Sequence, residues 1–286
     1  MTQTEGDRQA VVPRLPVLND VVPPREPPEV PSGWEVRPPD FVGVGAMKSG
    51  TTWWWSILTS HPDIASPRDC SSDSAPASAG ETNKRLYRAK EIHFFDHYGR
   101  VEEIDPVSYH RYFPRPEGCI AGEWTPRYMY DFWTPPMLRA AAPSARLLVM
   151  LRDPLERFVS ALGHHLKFGG ALTGPVMEHQ FHRGFYWQQL RNLLYHFERD
   201  QLLVLQYEQC VKDPLREAAR TFTFLGVDPD RWRPPSEYTR RVGLVCPKPM
   251  VDRATLHAVR QATEPDVTRL LQDFPEIDGA LWPSVN

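Results

Sequence analysis

Apolar residues fall into short runs separated by longer amphipathic stretches. The first run, Phe41-Val42-Gly43-Val44-Gly45, predicts a strand. A helix is expected after it, from about Thr51 to Ser60, stopped by His61-Pro62. Ile120 to Trp124 reads as a short strand. Arg146 to Leu151 is nearly all apolar, as expected of a strand buried on both faces of a parallel sheet. A helix is predicted from Pro154, where a first-turn proline sacrifices no hydrogen bond. Residues 184–199 carry Tyr186, Leu190, Leu193, Leu194 and Phe197 at helical spacing. Gln201 to Gln206 predicts a strand, Leu215 to Leu225 a helix stopping at Gly226, and two last helices are expected near 252–261 and 265–273. Strands alternating with helices predict an α/β domain, a parallel sheet flanked by helices on both faces.

Two stretches break the pattern. Residues 1–39 are rich in proline, which disfavours both helix and central strand, so an extended, partly disordered arm is expected before a domain spanning 40–286. Residues 66–84 are small and polar and predict an insertion loop, either a lid or a passive one. The 286-residue chain carries 33 basic and 36 acidic residues, a formal charge of −3. No basic stretch dominates, so nucleic acid is not the expected partner. The polar start, MTQTEGDRQA, and the lack of a long apolar run raise no expectation of a signal peptide or membrane span, and the default expectation is a cytoplasmic protein. Cys70, Cys119, Cys210 and Cys246 stand far apart, without the spacing of a zinc site or disulfide framework.

The candidate chemistry begins at Gly45-Ala46-Met47-Lys48-Ser49-Gly50-Thr51-Thr52. A glycine loop between strand and helix aims backbone N–H groups and the helix dipole at an anion. The G-x-x-x-x-G spacing is that of a P-loop, but Thr51 stands where the usual lysine would be, and the lysine lies inside the loop as Lys48. A cation there suits one 5′-phosphate whose bridging oxygen gains charge as a group leaves, without a metal. Ser49, Thr51 and Thr52 add hydroxyls. After the strand ending at Leu151, Arg152 and Ser160 fall where a helix N-terminus and a guanidinium fork could hold a second phosphate. Arg157 could join them or form an ion pair, and Asp153 could instead be a magnesium ligand of a P-loop kinase or NTPase.

Lys48-Ser49-Gly50-Thr51-Thr52-Trp53 resembles the 5′-phosphosulfate loop of sulfotransferases that use PAPS (3′-phosphoadenosine-5′-phosphosulfate). Arg152-Asp153-Pro154, with Arg157 and Ser160, resembles the same family's 3′-phosphate motif. Matching pieces run from about 41 to 274, including Val204 to Glu208 and Phe224-Leu225-Gly226. The resemblance implies a P-loop-like sulfotransferase fold and PAPS as donor. It implies donor contacts from Lys48, Ser49, Gly50, Thr51 and Thr52, from Trp53 beside the adenine, and from Arg152 and Ser160 on the 3′-phosphate.

Lys90-Glu91-Ile92-His93-Phe94-Phe95-Asp96 supplies a carboxylate and an imidazole, which alternation in a strand would place on one face with Phe95. The segment resembles the K-E-x-H-F-F-D stretch of heparan-sulfate-type sulfotransferases. That implies Glu91 as base, His93 as its helper and Asp96 orienting the acceptor. Two other readings stay open: an ion pair of Glu91 with Lys90 or Arg88, and metal ligation by Glu91, His93 and His97. Glu123-Trp124-Thr125-Pro126-Arg127-Tyr128 resembles the family's E-K-[ST]-x-x-Y, with Trp124 in place of a lysine that faces sulfate or acceptor. Arg127 could substitute for it, Trp124 could stack on an acceptor ring or pack in the core, and Tyr128, Tyr130 and Trp187 could line an acceptor pocket. His164-His165 could face the cleft, and Arg240, Arg241 and Lys248 could close on the donor. The reading is sulfuryl transfer from PAPS to a hydroxyl of a small acceptor such as a glycoside, glycolipid or secondary metabolite, with no metal. The alternatives are a P-loop kinase or NTPase, and a module that binds the nucleotide without turnover.

Overall fold

The computed structural model describes residues 26–65, 90–97, 105–239 and 246–285. The first 25 residues of the arm, the 66–84 loop, Arg88, Arg240 and Arg241 lie outside this set. Five parallel strands form the central sheet in the order β3-β5-β2-β6-β7. They are β2 (Phe41–Gly45), β3 (Ile64–Ala65), β5 (Ile120–Trp124), β6 (Arg146–Leu151) and β7 (Leu202–Gln206). A two-residue strand of the arm, β1 (Glu35–Val36), pairs antiparallel with β4 (Pro114–Arg115). The helices are α1 (Thr51–Leu58), α2 (Pro106–His110), α3 (Thr134–Ala141), α4 (Pro154–Lys167), α5 (Gly174–His182), α6 (Tyr186–His196), α7 (Tyr207–Lys212), α8 (Pro214–Leu225) and α9 (Arg253–Asp273).

Strand alternation divides the core between the two faces of the sheet. Leu147, Val149 and Leu151 of β6 join Val42, Val44 and Val204 beneath α3, α6 and α9. Leu148 and Met150 face the other way, toward Phe41, Leu203, Leu205 and the three tryptophans of α1. The central strands are buried on both sides, which is why they read as continuous apolar runs. Among the described residues no helix is long and apolar enough to cross a membrane.

Two expectations need correction. The last two helices are one, α9, with Pro265 inside it. Proline removes one helical hydrogen bond, yet Val267 and Leu270 on the following turn are buried in the core and Asp266 accepts from the backbone N–H groups of Trp187 and Gln188. The packing carries the helix through. Residues 91–93 are not a strand, and a short 3-10 helix, Phe94–His97, follows them. The backbone N–H groups of this segment go to side chains of β5 and its following turn, as described below.

Candidate active site

The Gly45–Thr52 loop leaves the carboxyl end of β2 and is tied to the neighbouring strand through Ala46 N, which donates to Met150 O at 2.9 Å. Gly50 takes φ 93, and a Cβ there would lie 2.6 Å from the Tyr207 ring, so both conformation and space require glycine. Helix α1 begins with no side-chain cap and no acidic residue in its first turn, leaving its N-terminus to an anion. The Ser49 hydroxyl is buried beside the Tyr186 phenol without a well-formed hydrogen bond. Among the described residues, Lys48 (φ 68) and His93 (φ 61) are the two non-glycine residues in the left-handed region. Such strain collects at functional sites, and here both instances belong to one site.

The 90–97 segment lies against this loop. Lys90 Nζ donates to Thr51 Oγ1 at 3.0 Å, Thr52 Oγ1 at 3.4 Å and Glu91 Oε1 at 2.6 Å. The other Glu91 oxygen, Oε2, is 3.2 Å from His93 Nε2, and His93 Nδ1 is 2.8 Å from Asp96 Oδ2. With both ring nitrogens on carboxylates, His93 is an imidazolium. Burial would lower its pKa, but Asp96 and Glu91 raise it to about 9. Burial would raise the Glu91 pKa, but Lys90 and His93 hold it down to about 2. Burial lowers the pKa of Lys48; Cys246 nearby opposes this, while Lys90 and Arg152 add to it. His164 on α4 is pushed down to about 4 by burial and by Lys48, which keeps its imidazole neutral.

Glu91 thus forms the ion pair with Lys90 while keeping 18% of its side chain exposed beside the loop. The metal reading gains no support from this geometry, in which both His93 ring nitrogens are engaged by carboxylates. Among the described residues no group of three or more His, Cys, Asp or Glu could hold an ion. A buried glutamate that sequence reasoning did not single out positions the segment. Glu123 Oε2 accepts from Ile92 N at 3.0 Å and Thr125 Oγ1 at 2.5 Å. Its Oε1 accepts from Tyr109 Oη at 2.8 Å and Tyr128 Oη at 3.0 Å. Burial raises the Glu123 pKa, and these four hydrogen bonds work against it.

Several of the residues expected on the acceptor side are engaged with other parts of the protein. Trp124 is 0% exposed and sits in the core with Trp55 and Phe41, its Nε1 donating to Gly45 O at 3.1 Å. Glu123 faces the site, so alternation turns position 124 to the opposite side of the sheet, where it presents no ring and no cation to an acceptor. A Cβ on Gly43 would lie 2.0 Å from the Trp124 ring, so the two positions are packed as a pair. Tyr128 is also fully buried and braces Phe94 N and Glu123. Arg127 pairs with Asp131 at 2.5 Å. Trp187 donates to Asp273 on α9 at 2.7 Å. Tyr130 does line a cleft of about 470 Å³, with Phe132, His182, Phe185, Gln188 and Asn192. On its other side, Arg183 stacks over the Tyr130 ring at 4.5 Å and reaches Met47 Sδ of the loop at 3.6 Å.

Beyond the neighbouring strand, Arg152 leaves the end of β6 with 19% of its side chain exposed. It donates to Glu156 Oε2 at 3.1 Å and lies 5.1 Å from the Tyr207 ring. Ser160 is half-buried two turns along α4. Lys248 also pairs with Glu156, closing a chain of charges over Arg152. Among the described residues Arg157 forms no ion pair: it is fully buried and donates to Gln180 O at the end of α5. Asp153 is a helix cap, buried at 1% exposure, with Oδ1 on Leu155 N and Glu156 N and Oδ2 on Ser284 N, so the carboxylate is engaged with backbone rather than turned to the loop as a magnesium ligand. Trp53 is 3% exposed, its Nε1 donating to Tyr238 O at 2.8 Å, so little of its ring is open beside the loop.

Residues 39–232 match a family model described as "Sulfotransferase family". Among curated proteins, the chain is 28% identical over 205 residues to heparan sulfate glucosamine 3-O-sulfotransferase 6 of Homo sapiens, covering 67% of this chain and 53% of that protein. It is 28% identical over 144 residues to membrane-associated sulfotransferase kil1 of Dictyostelium discoideum, covering 50% of this chain and 26% of that protein. The chain therefore spans between about a quarter and a half of these relatives' length. Among solved structures, a sulfotransferase from Alicyclobacillus acidocaldarius matches with a TM-score of 0.59 at 24% identity, covering 86% of this chain and 99% of that one.

Proposed function

We propose, from the premise that this chain belongs to the sulfotransferase family, that it moves a sulfuryl group from PAPS to a hydroxyl of a small acceptor. The observation that carries the reading is the meeting of Lys48 in an open anion loop with a Glu91 carboxylate fastened to that same loop through Lys90. The acceptor oxygen attacks sulfur in line, and the bond from sulfur to the bridging phosphate oxygen breaks. The acceptor proton passes to Glu91, and the electron pair of the broken bond stays on the 5′-phosphate of adenosine 3′,5′-bisphosphate. Lys48 and the N-terminus of α1 stabilise that charge. Arg152 and Ser160 hold the 3′-phosphate, and the Arg152–Glu156 pair, half open to solvent on the Glu156 side, exchanges for it. His93 keeps Glu91 ionised and aimed.

The near-neutral chain favours a glycoside, glycolipid or secondary metabolite over a polyanionic polymer. The magnesium-dependent kinase reading loses support because Asp153 is spent on capping and Thr51 receives Lys90. Incubation with labelled PAPS and a panel of hydroxylated acceptors, read by mass spectrometry, is expected to give a sulfate adduct and the bisphosphate. Lys48→Ala should reduce turnover roughly 100- to 1,000-fold, the scale of one lost transition-state donor. Full turnover in that variant would remove Lys48 from the chemistry. Thermal stabilisation by ATP with Mg²⁺ but not by the bisphosphate would remove PAPS.

A further inference from the structure

We propose that Lys90 is the second cation of this site, a positioning residue that joins the acceptor base to the donor loop and shifts its field from one to the other during transfer; the proposal rests on the reading above and deepens it. Position 124, where the family motif carries a lysine, points into the opposite core, so no cation can come from there. Lys90 is 1% exposed, a rare state for lysine, and it lies between both halves of the reaction. On one side are the hydroxyls of Thr51 and Thr52, at the N-terminus of α1; on the other is Glu91 Oε1 at 2.6 Å.

Each consequence follows from donor counting. An ammonium only donates, so both threonine oxygens receive from it and each retains its own O–H for another acceptor. Lys90 behind them leaves those protons for an oxyanion at the helix N-terminus. In the resting site the Glu91 carboxylate neutralises Lys90. As Glu91 takes the acceptor proton, Lys90 loses that counter-charge, while the electron pair of the breaking S–O bond arrives on the phosphate oxygen at the other end of the same ammonium. An interaction that strengthens as charge develops lowers the barrier without tightening substrate binding equally. Other groups acting on Glu91 are His93 on its own segment, Lys48 on the loop and His164 on α4; Glu123 of β5 acts on Lys90 and Asp96 on His93.

The test has two arms. Calorimetry with adenosine 3′,5′-bisphosphate compares wild type, Lys90→Met, Thr51→Val and the double variant. Lys90→Met is expected to weaken binding about 10-fold, the scale of one charge-assisted hydrogen bond. The double variant should lose clearly less than the sum of the two single losses, because Lys90 acts on the phosphate largely through that hydroxyl, with Thr52 as the longer second route. Additive losses overturn the proposal. The second arm reads bisphosphate release from PAPS against pH. Without Lys90 the Glu91 proton is lost less readily, so the acid limb should move up by roughly one pH unit or more toward the ordinary carboxylate range. Lys90→Gln keeps donors without charge: it should restore bisphosphate binding to within about 3-fold and still show the moved limb, and it carries the test if Lys90→Met does not fold. A limb that stays in place in these variants overturns the proposal even if stability falls. If wild type binds the bisphosphate yet releases none from PAPS, the transfer reading fails, and the binding cycle alone decides the role of Lys90.

Discussion

The His93 bridge sets a pH signature that Asp96→Asn should remove. His93 lies between Asp96 Oδ2 at 2.8 Å and Glu91 Oε2 at 3.2 Å, with 15% of its side chain exposed. Burial favours the neutral ring, and the two carboxylates outweigh it, raising the pKa from 6.5 to about 9. That rise corresponds to about 3 kcal/mol of preference for the imidazolium in the folded protein. A raised pKa gives stability that is fully present below about pH 6.5 and is lost as pH rises through about 9. Asp96 makes the shorter contact, and its hydrogen bond is the largest single cause that raises the pKa, with Glu91 close behind, so about half of that energy is assigned to Asp96. The amide in its place would keep the shape and lose the charge. Asp96→Asn is therefore expected to cost about 1.5 to 2 kcal/mol at pH 6 and close to nothing at pH 10, where His93 is neutral in both proteins.

Denaturant unfolding at the two pH values measures the difference, and an NMR titration of the His93 ring locates its pKa directly. The variant ring should titrate at least about one pH unit below wild type. Equal destabilisation at pH 6 and pH 10, or a wild-type ring titrating near 6.5, would refute the ion-pair account. Asp96 Oδ1 is buried without a partner, so a purely structural loss would not follow the protonation of His93.

Two further outcomes test the two sides of the cleft. Arg152→Ala should weaken adenosine 3′,5′-bisphosphate roughly 10- to 100-fold, the scale of a charge-assisted contact, while leaving adenosine 5′-phosphate unchanged; equal losses for both would move Arg152 away from the 3′-phosphate. Trp124→Ala should cost about 3–5 kcal/mol as a core truncation, while Trp124→Phe should leave the acceptor KM unchanged, and a raised KM in a well-folded Trp124→Phe protein would return Trp124 to the acceptor.

The glycine loop and the strand end at Arg152 were easy to place in the sequence because each is contiguous. A loop of eight residues between a buried strand and a helix carries its own cation and its own N–H groups, and Arg152 and Ser160 follow the next strand in the same way. The acceptor half is assembled from separate segments. Residues 91–93 looked like a strand because Ile92, Phe94 and Phe95 are apolar, but the N–H groups of Ile92 and His93 bond to Glu123 and Thr125, about thirty residues away. Period-two alternation along Ile120–Trp124 was enough to show that Glu123 and Trp124 face opposite ways; which of them faced the site required knowing where Lys90 lies. Lys90 itself appeared only as a possible ion-pair partner of its neighbour. Nothing in local pattern marks a lysine that spans to a helix thirty-eight residues earlier. The substitution at position 124 is then a matter of sheet geometry: a lysine would be buried on that face among Phe41, Trp54 and Trp55, where an unpaired ammonium is costly, whereas an indole fills the volume and bonds Gly45 O. The cation the chemistry needs is held on the other side of the loop, where Glu91 can balance it.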